Sequence, residues 1–168
     1  MTINIKDRFL AMPRETPWYE QVTTPALLRH ARTTYGAAMR RALAKAGYDD
    51  IPKNGLYLIG GMAFQAGDMP LGNLVRDLRV SKQVAGQLVD TLVTRGYLER
   101  AVDGQDRRKL TVTLTDRGRA AAIVQTEARK EIDAELLQRV GKGNVTVARR
   151  TLAALVDIGR RQEADREA

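Results

Sequence analysis

Lys82, Gln83 and Gln87 stand at the start of a stretch with helical spacing, and Asp106, Arg107, Arg108 and Lys109 close a turn-rich segment 24 residues or so further on. Primary amides one helical turn apart can each offer a donor and an acceptor to a base-pair edge, and glutamine is a bidentate partner for adenine. Guanidinium and ammonium groups beside them suit phosphate oxygens. The groups that run most catalysis are nearly missing: there is one histidine, His30, there is no cysteine, and no Gly-rich loop ends in Lys-Ser or Lys-Thr. Disulfides, thiolate metal sites and cysteine redox sensing are therefore excluded by composition. The residues point to no enzyme, no metal site and no cofactor.

Positioning those side chains falls to a short series of elements. Thr24 and Pro25 read as cap and first helical residue of a long helix through Leu27, Leu28, Ala31, Tyr35, Ala38, Ala42 and Ala46, ending near Gly47. Pro52 opens a second helix through Leu56, Ile59 and Ala63, weakened by Gly55, Gly60 and Gly61 at about 1 kcal/mol each relative to alanine. Leu71, Leu74, Val75 and Leu78 form one apolar stripe after Asp68, Met69 and Pro70, and a tight turn at Arg79 and Val80 follows. Ser81 is a suitable N-cap for the next helix, and Gly96 a suitable terminator. On a wheel of about 100° per residue, Val84, Ala85, Leu88, Val89 and Leu92 share one side, whereas Gln83, Gly86, Gln87 and Asp90 lie opposite.

Beyond Gly96 the period changes from helical to alternating. Leu110, Val112 and Leu114 point one way and Thr111 and Thr113 the other, with Tyr97 to Val102 as the opposing strand and Asp103-Gly104-Gln105-Asp106 as the connection. This predicts a hairpin with a basic tip. Thr115 or Asp116 then caps a third long helix through Ala120, Ile123, Val124, Ala128, Ile132, Leu136 and Leu137, broken at Gly141 and Gly143. A last helix from about Asn144 is expected to bury Val145, Ala148, Leu152, Leu155 and Val156.

The order helix, turn, longer helix, hairpin is that of a winged helix-turn-helix, whose second helix enters the major groove. Asp106-Arg107-Arg108-Lys109-Leu110-Thr111-Val112-Thr113-Leu114-Thr115-Asp116-Arg117-Gly118 resembles the wing signature of the MarR family, D-x-R followed by a strand, Leu-Thr and glycine, and Val80-Ser81-Lys82 and Leu88-Val89-Asp90 resemble it too. The resemblance implies a mainly α fold with a small β-hairpin wing (α+β), in which a winged helix-turn-helix at 51–115 is flanked by dimerisation helices at 20–50 and 116–160. It also implies a cytoplasmic, homodimeric transcription regulator, by family habit a repressor released by a small aromatic ligand. Arg108 would enter the minor groove, oriented by Asp106, where a narrow A·T groove concentrates negative potential. Arg107 and Lys109 would meet phosphates. Trp18, His30, Tyr35 and Phe64 are the candidates to line a ligand cleft.

The predicted DNA-contacting set is thus Ser81, Lys82, Gln83, Gly86, Gln87, Asp106, Arg107, Arg108 and Lys109. A dimer would address an imperfect palindrome in double-stranded DNA. A length of 168 residues fits one domain, and 43% hydrophobic beside 29% charged residues suits a folded core rather than disorder. The net charge of +8 favours a polyanion, although residues 68–119 hold 10 Lys and Arg against 7 Asp and Glu, only +3 of it. Lys6, Asp7 and Arg8 interrupt the N-terminal apolar stretch, so neither a signal peptide nor a membrane span is expected. The competing reading is a winged-helix protein-interaction module that binds no DNA. An exposed surface of Lys, Gln and Arg without apolar anchors favours nucleic acid.

Overall fold

The Thr-Pro pair starts helix α1 (Thr24–Lys45) one residue earlier than its sequence suggests: Thr23 is the cap residue and Pro25 lies in the first turn, where a missing N–H costs nothing. The computed structural model describes residues 16–64, 69–70, 81–102 and 110–167. A single 3-10 turn, Trp18–Gln21, precedes α1. Helix α2 (Gly55–Phe64) begins three residues after Pro52, whose carbonyl accepts from the Gly55 and Leu56 amides at 2.8 and 3.3 Å. The order continues as β1 (Met69–Pro70), α3 (Lys82–Thr94), β2 (Leu98–Val102), β3 (Leu110–Leu114) and α4 (Asp116–Glu167). The helix expected through Leu71 and Leu78, the Arg79-Val80 turn, and Asp106 to Lys109 lie outside the described residues.

Strands β2 and β3 pair antiparallel from Leu98 opposite Leu114 to Val102 opposite Leu110, as the alternation predicts. The sheet nevertheless has three strands in the order β1-β3-β2, because Met69 and Pro70 pair with Val112 and Thr111. Two residues carry no detectable alternation, so this strand exists only through its partner. The central place of β3 also corrects the expectation for Thr111. Flanked by Pro70 and Ala101, it is only 3% exposed rather than facing solvent.

One apolar cluster joins Met39 and Leu43 of α1, Leu56 and Ile59 of α2, Val89 and Leu92 of α3, Val112 of β3 and Ala121 and Ala122 of α4. Full burial of each large aliphatic side chain contributes about 1.5–3 kcal/mol, so this cluster is what holds α3 against the helices that flank it. α4 packs on α1 and α2 through small residues, Ala121, Ala122 and Ala128, rather than through Ile123, Leu136 and Leu137, which are exposed. That closeness leaves Gln125 of α4 fully buried, with its Oε1 3.0 Å from where a Cβ on Gly60 would stand. Neither amide atom of Gln125 has a hydrogen-bond partner among the described residues. Gln125→Met keeps the volume and removes both polar atoms, and we expect it to raise the unfolding free energy by about 1–2 kcal/mol in urea titrations. A lower midpoint would mean that the amide is satisfied in solution.

The expected break between the last two helices is a single residue. Gly141, at φ 78° and ψ 159°, interrupts α4, and helical geometry resumes at once through Gly143. The arms bend far enough for Arg149 of the second to reach Asp133 of the first at 3.9 Å. In the single chain the apolar stripe of the second arm, expected from the sequence to be buried, is open: Leu152, Leu155 and Val156 are 43%, 46% and 53% exposed. Amphipathic periodicity announces a face that must be covered, and no other element among the described residues covers it.

Candidate nucleic-acid interface

The helix-opening role of Ser81 is borne out: its Oγ accepts the Val84 N–H at 3.3 Å, and α3 starts at Lys82. The hydroxyl hydrogen is not consumed by that cap and can still donate outward. Ala85, Val89 and Leu92 are buried beneath α3, whereas Lys82, Gln83 and Gln87 are exposed together on its outer surface. Val84 sits at the edge of the apolar side and is exposed, which corrects the wheel at that position. Gly86 is half-buried, and a Cβ there would meet no described atom within 4 Å, so packing among the described residues does not require glycine.

An ion pair on this surface escaped the sequence reading. Asp90, placed on the outward face by its periodicity, forms a very close ion pair with Arg100 of β2. An isolated carboxylate beside phosphates would repel them; the arginine offsets its charge and ties the hairpin to α3. No local pattern joins positions 90 and 100, since their meeting depends on how the strand leaves the helix. Asp106, Arg107, Arg108 and Lys109 fall between the paired residues Val102 and Leu110 and lie outside the described residues.

The four candidate cleft residues are dispersed in character. Trp18 is exposed and meets Tyr19 edge-on at 6.0 Å, His30 is exposed, and the Phe64 side chain lies outside the described set. Tyr35 is half-buried and donates its hydroxyl to Asp133; burial, then the Asp133 hydrogen bond, pushes its pKa up to about 12. A cavity of about 190 Å³ opens elsewhere, lined by Arg40, Leu43, Ala44, Tyr48, Asp49, Ile51, Pro52, Lys53 and Leu56. Trp18, His30 and Tyr35 are not among its walls. Among the described residues no cluster of His, Asp and Glu could hold a metal, and no helix is long and apolar enough to cross a membrane.

Residues 59–109, from the core of α2 through α3 and into the hairpin connection, match the family profile MarR_2, described as the MarR family. This segment is therefore similar to the MarR family of winged-helix regulators. No curated protein matches the sequence. Solved structures extend the likeness to most of the chain. FabT of Streptococcus pneumoniae, crystallised in complex with DNA, superposes with a TM-score of 0.70 at 19% identity, covering 84% of this chain and 97% of that one. A crystal structure of MarR gives 0.66 at 16% identity, covering 92% and 98%. RV1404 from Mycobacterium tuberculosis gives 0.62 at 26% identity, covering 81% and 90%. The expected fold class, a mainly α chain with a small hairpin wing, is thereby confirmed.

The end of the MarR-like signature has a physical explanation here. Thr115 accepts the Gly118 N–H at 3.1 Å as a helix cap and donates to the Gly96 carbonyl at 2.5 Å, while its own amide donates to the Tyr97 carbonyl at 3.1 Å. One residue thus closes the start of α4 onto the exit of α3. Gly118 follows because a Cβ at that position would stand 2.1 Å from the Tyr97 carbonyl oxygen. Arg117 lies over the rings of Tyr97 and Tyr48, at 4.6 and 5.4 Å from their centroids, and donates to the Tyr97 hydroxyl at 3.0 Å.

Proposed function

We propose that the chain is a sequence-specific, double-stranded DNA-binding transcription regulator of the MarR kind that works as a homodimer. What supports this most is the exposure of Lys82, Gln83 and Gln87 on a helix whose other side is locked into the core, next to a hairpin held to it by Asp90 and Arg100. In this reading α3 lies in the major groove, Gln83 and Gln87 address base edges, and Lys82 and the Ser81 hydroxyl meet phosphate. Arg108, carried between β2 and β3 with Asp106 beside it, enters the minor groove, and Arg107 and Lys109 contact the backbone. Two copies of α3 then require half-sites about 10 to 10.5 base pairs apart. That FabT, a structural neighbour, was crystallised with DNA supports the polyanionic partner. Repression relieved by a small aromatic ligand completes the reading, with Trp18, His30, Tyr35 and Phe64 as proposed contacts.

Fluorescence anisotropy on duplexes from DNA upstream of the chain's own coding sequence tests this at fixed salt. We expect Arg108→Ala to weaken operator binding about 10- to 100-fold, and Gln87→Ala to reduce the operator preference about 10-fold with little change on mixed-sequence DNA. Gly86→Ala should raise the melting temperature, by the roughly 1 kcal/mol of helix propensity, yet weaken operator binding by blocking close backbone approach. Equal affinity of wild type for operator and mixed DNA would overturn the proposal in favour of a protein-interaction role.

A further inference from the structure

Three groups from distant parts of the chain converge on one residue, Asp50, in the loop between α1 and α2. Its backbone carbonyl accepts from the guanidinium of Arg95, the residue that caps the C-terminus of α3. Its carboxylate accepts the hydroxyl hydrogen of Tyr97, at the entry to β2, and a further bond from Arg117 of α4 at 3.3 Å. Arg117 also donates to the Tyr97 hydroxyl oxygen at 3.0 Å, so the phenol gives its proton to Asp50 while receiving one from the arginine. The rings of Tyr48 and Tyr97 meet edge-on at 6.3 Å beside the same guanidinium. The Tyr97 hydrogen bond, then Arg117, holds the Asp50 carboxyl below its ordinary range, so the group is anionic at neutral pH and the network is complete there.

We infer that Asp50 is a positioning residue for DNA recognition: it latches the loop leaving α1 to the C-terminal end of α3, setting the angle at which the Gln83 and Gln87 surface is presented. This rests on the DNA-binding reading above. A single exposed ion pair would contribute little. The geometry here differs in that three donors from three elements share one residue, and a set of that kind resists rotation as well as separation. Ala85, Val89 and Leu92 anchor α3 along its buried side, and at the exposed exit of Arg95 and Gly96 the latch adds a polar tie to the loop leaving α1.

The test uses the full chain with Asp50→Ala, Asp50→Asn and Tyr97→Phe, each assayed well below its melting temperature. Amide hydrogen exchange in the DNA-free protein and anisotropy on operator and mixed duplexes are read together. We expect Asp50→Ala to speed exchange about 10-fold at residues 91–98 while residues of α2 and α4 stay protected. Operator affinity should fall about 10-fold, with mixed-sequence affinity and the salt slope within about 2-fold, because phosphate contacts survive a misdirected helix. Asp50→Asn, which keeps an acceptor for Tyr97, should recover part of both effects. A lower melting temperature with unchanged local exchange and unchanged operator preference would reduce Asp50 to a stabilising contact and overturn the proposal. If wild type shows no operator preference, the DNA reading fails by itself, and exchange at 91–98 still decides whether the latch exists.

Discussion

Gly118→Ala should lower the melting temperature by about 10 °C, a cost on the order of 3–4 kcal/mol for a chain of this size. The added methyl would stand 2.1 Å from the Tyr97 carbonyl oxygen, well inside van der Waals contact, and the Leu114 side chain is only 3.0 Å away. A flexible side chain could retreat from such an approach. The Tyr97 carbonyl cannot, because it accepts the Thr115 amide at 3.1 Å, and Tyr97 is itself fully buried. Relief requires parting α4 from the start of β2, which would open the junction where Thr115, Gly96 and Arg117 meet. Circular dichroism melting curves check this directly. A midpoint within two or three degrees of wild type would show that strand and helix do not approach so closely in solution.

Leu152→Glu with Leu155→Glu should leave the monomer folded and abolish dimer formation at micromolar concentration. Val145, Ala148, Leu152 and Leu155 recur at intervals of three and four, the spacing of one helix face, and the two leucines are nearly half exposed in the single chain. An isologous interface would bring each position against its copy's surface, so two substitutions introduce four carboxylates into one apolar contact. Glutamate is a good helix former, which keeps the α4 arm intact. On the proposed reading, loss of the second copy would turn a bivalent hold on DNA into a monovalent one, so operator affinity should fall by about 100-fold or more. Sedimentation velocity and anisotropy on the same preparations read both effects. An unchanged sedimentation coefficient would place the dimer contact elsewhere.

The Tyr35 pair belongs to the same region. Its hydroxyl joins α1 to Asp133, and Arg149 reaches Asp133 from beyond the Gly141 bend, so α1 and both arms of α4 share one polar contact. A residue expected to line a ligand cleft is thus, within the single chain, a link between the helices proposed to dimerise.

What is local in this chain was determined by residue order alone. Ser81 caps α3 because a short side-chain oxygen can reach the amide three residues on, Gly96 ends it at φ 72° because that conformation penalises any Cβ, and Leu110 to Leu114 alternate because a strand does. Each of these depends on neighbours within about four positions. Tertiary structure alone decided which distant groups would meet: Asp90 with Arg100, Asp50 with Tyr97 and Arg117, Gly60 against Gln125, and Met69-Pro70 beside β3. Periodicity specifies that a face is apolar but not what will cover it. The leucines of the second α4 arm therefore read in the sequence like those of a buried helix, and only the folded chain shows that no other described element covers them.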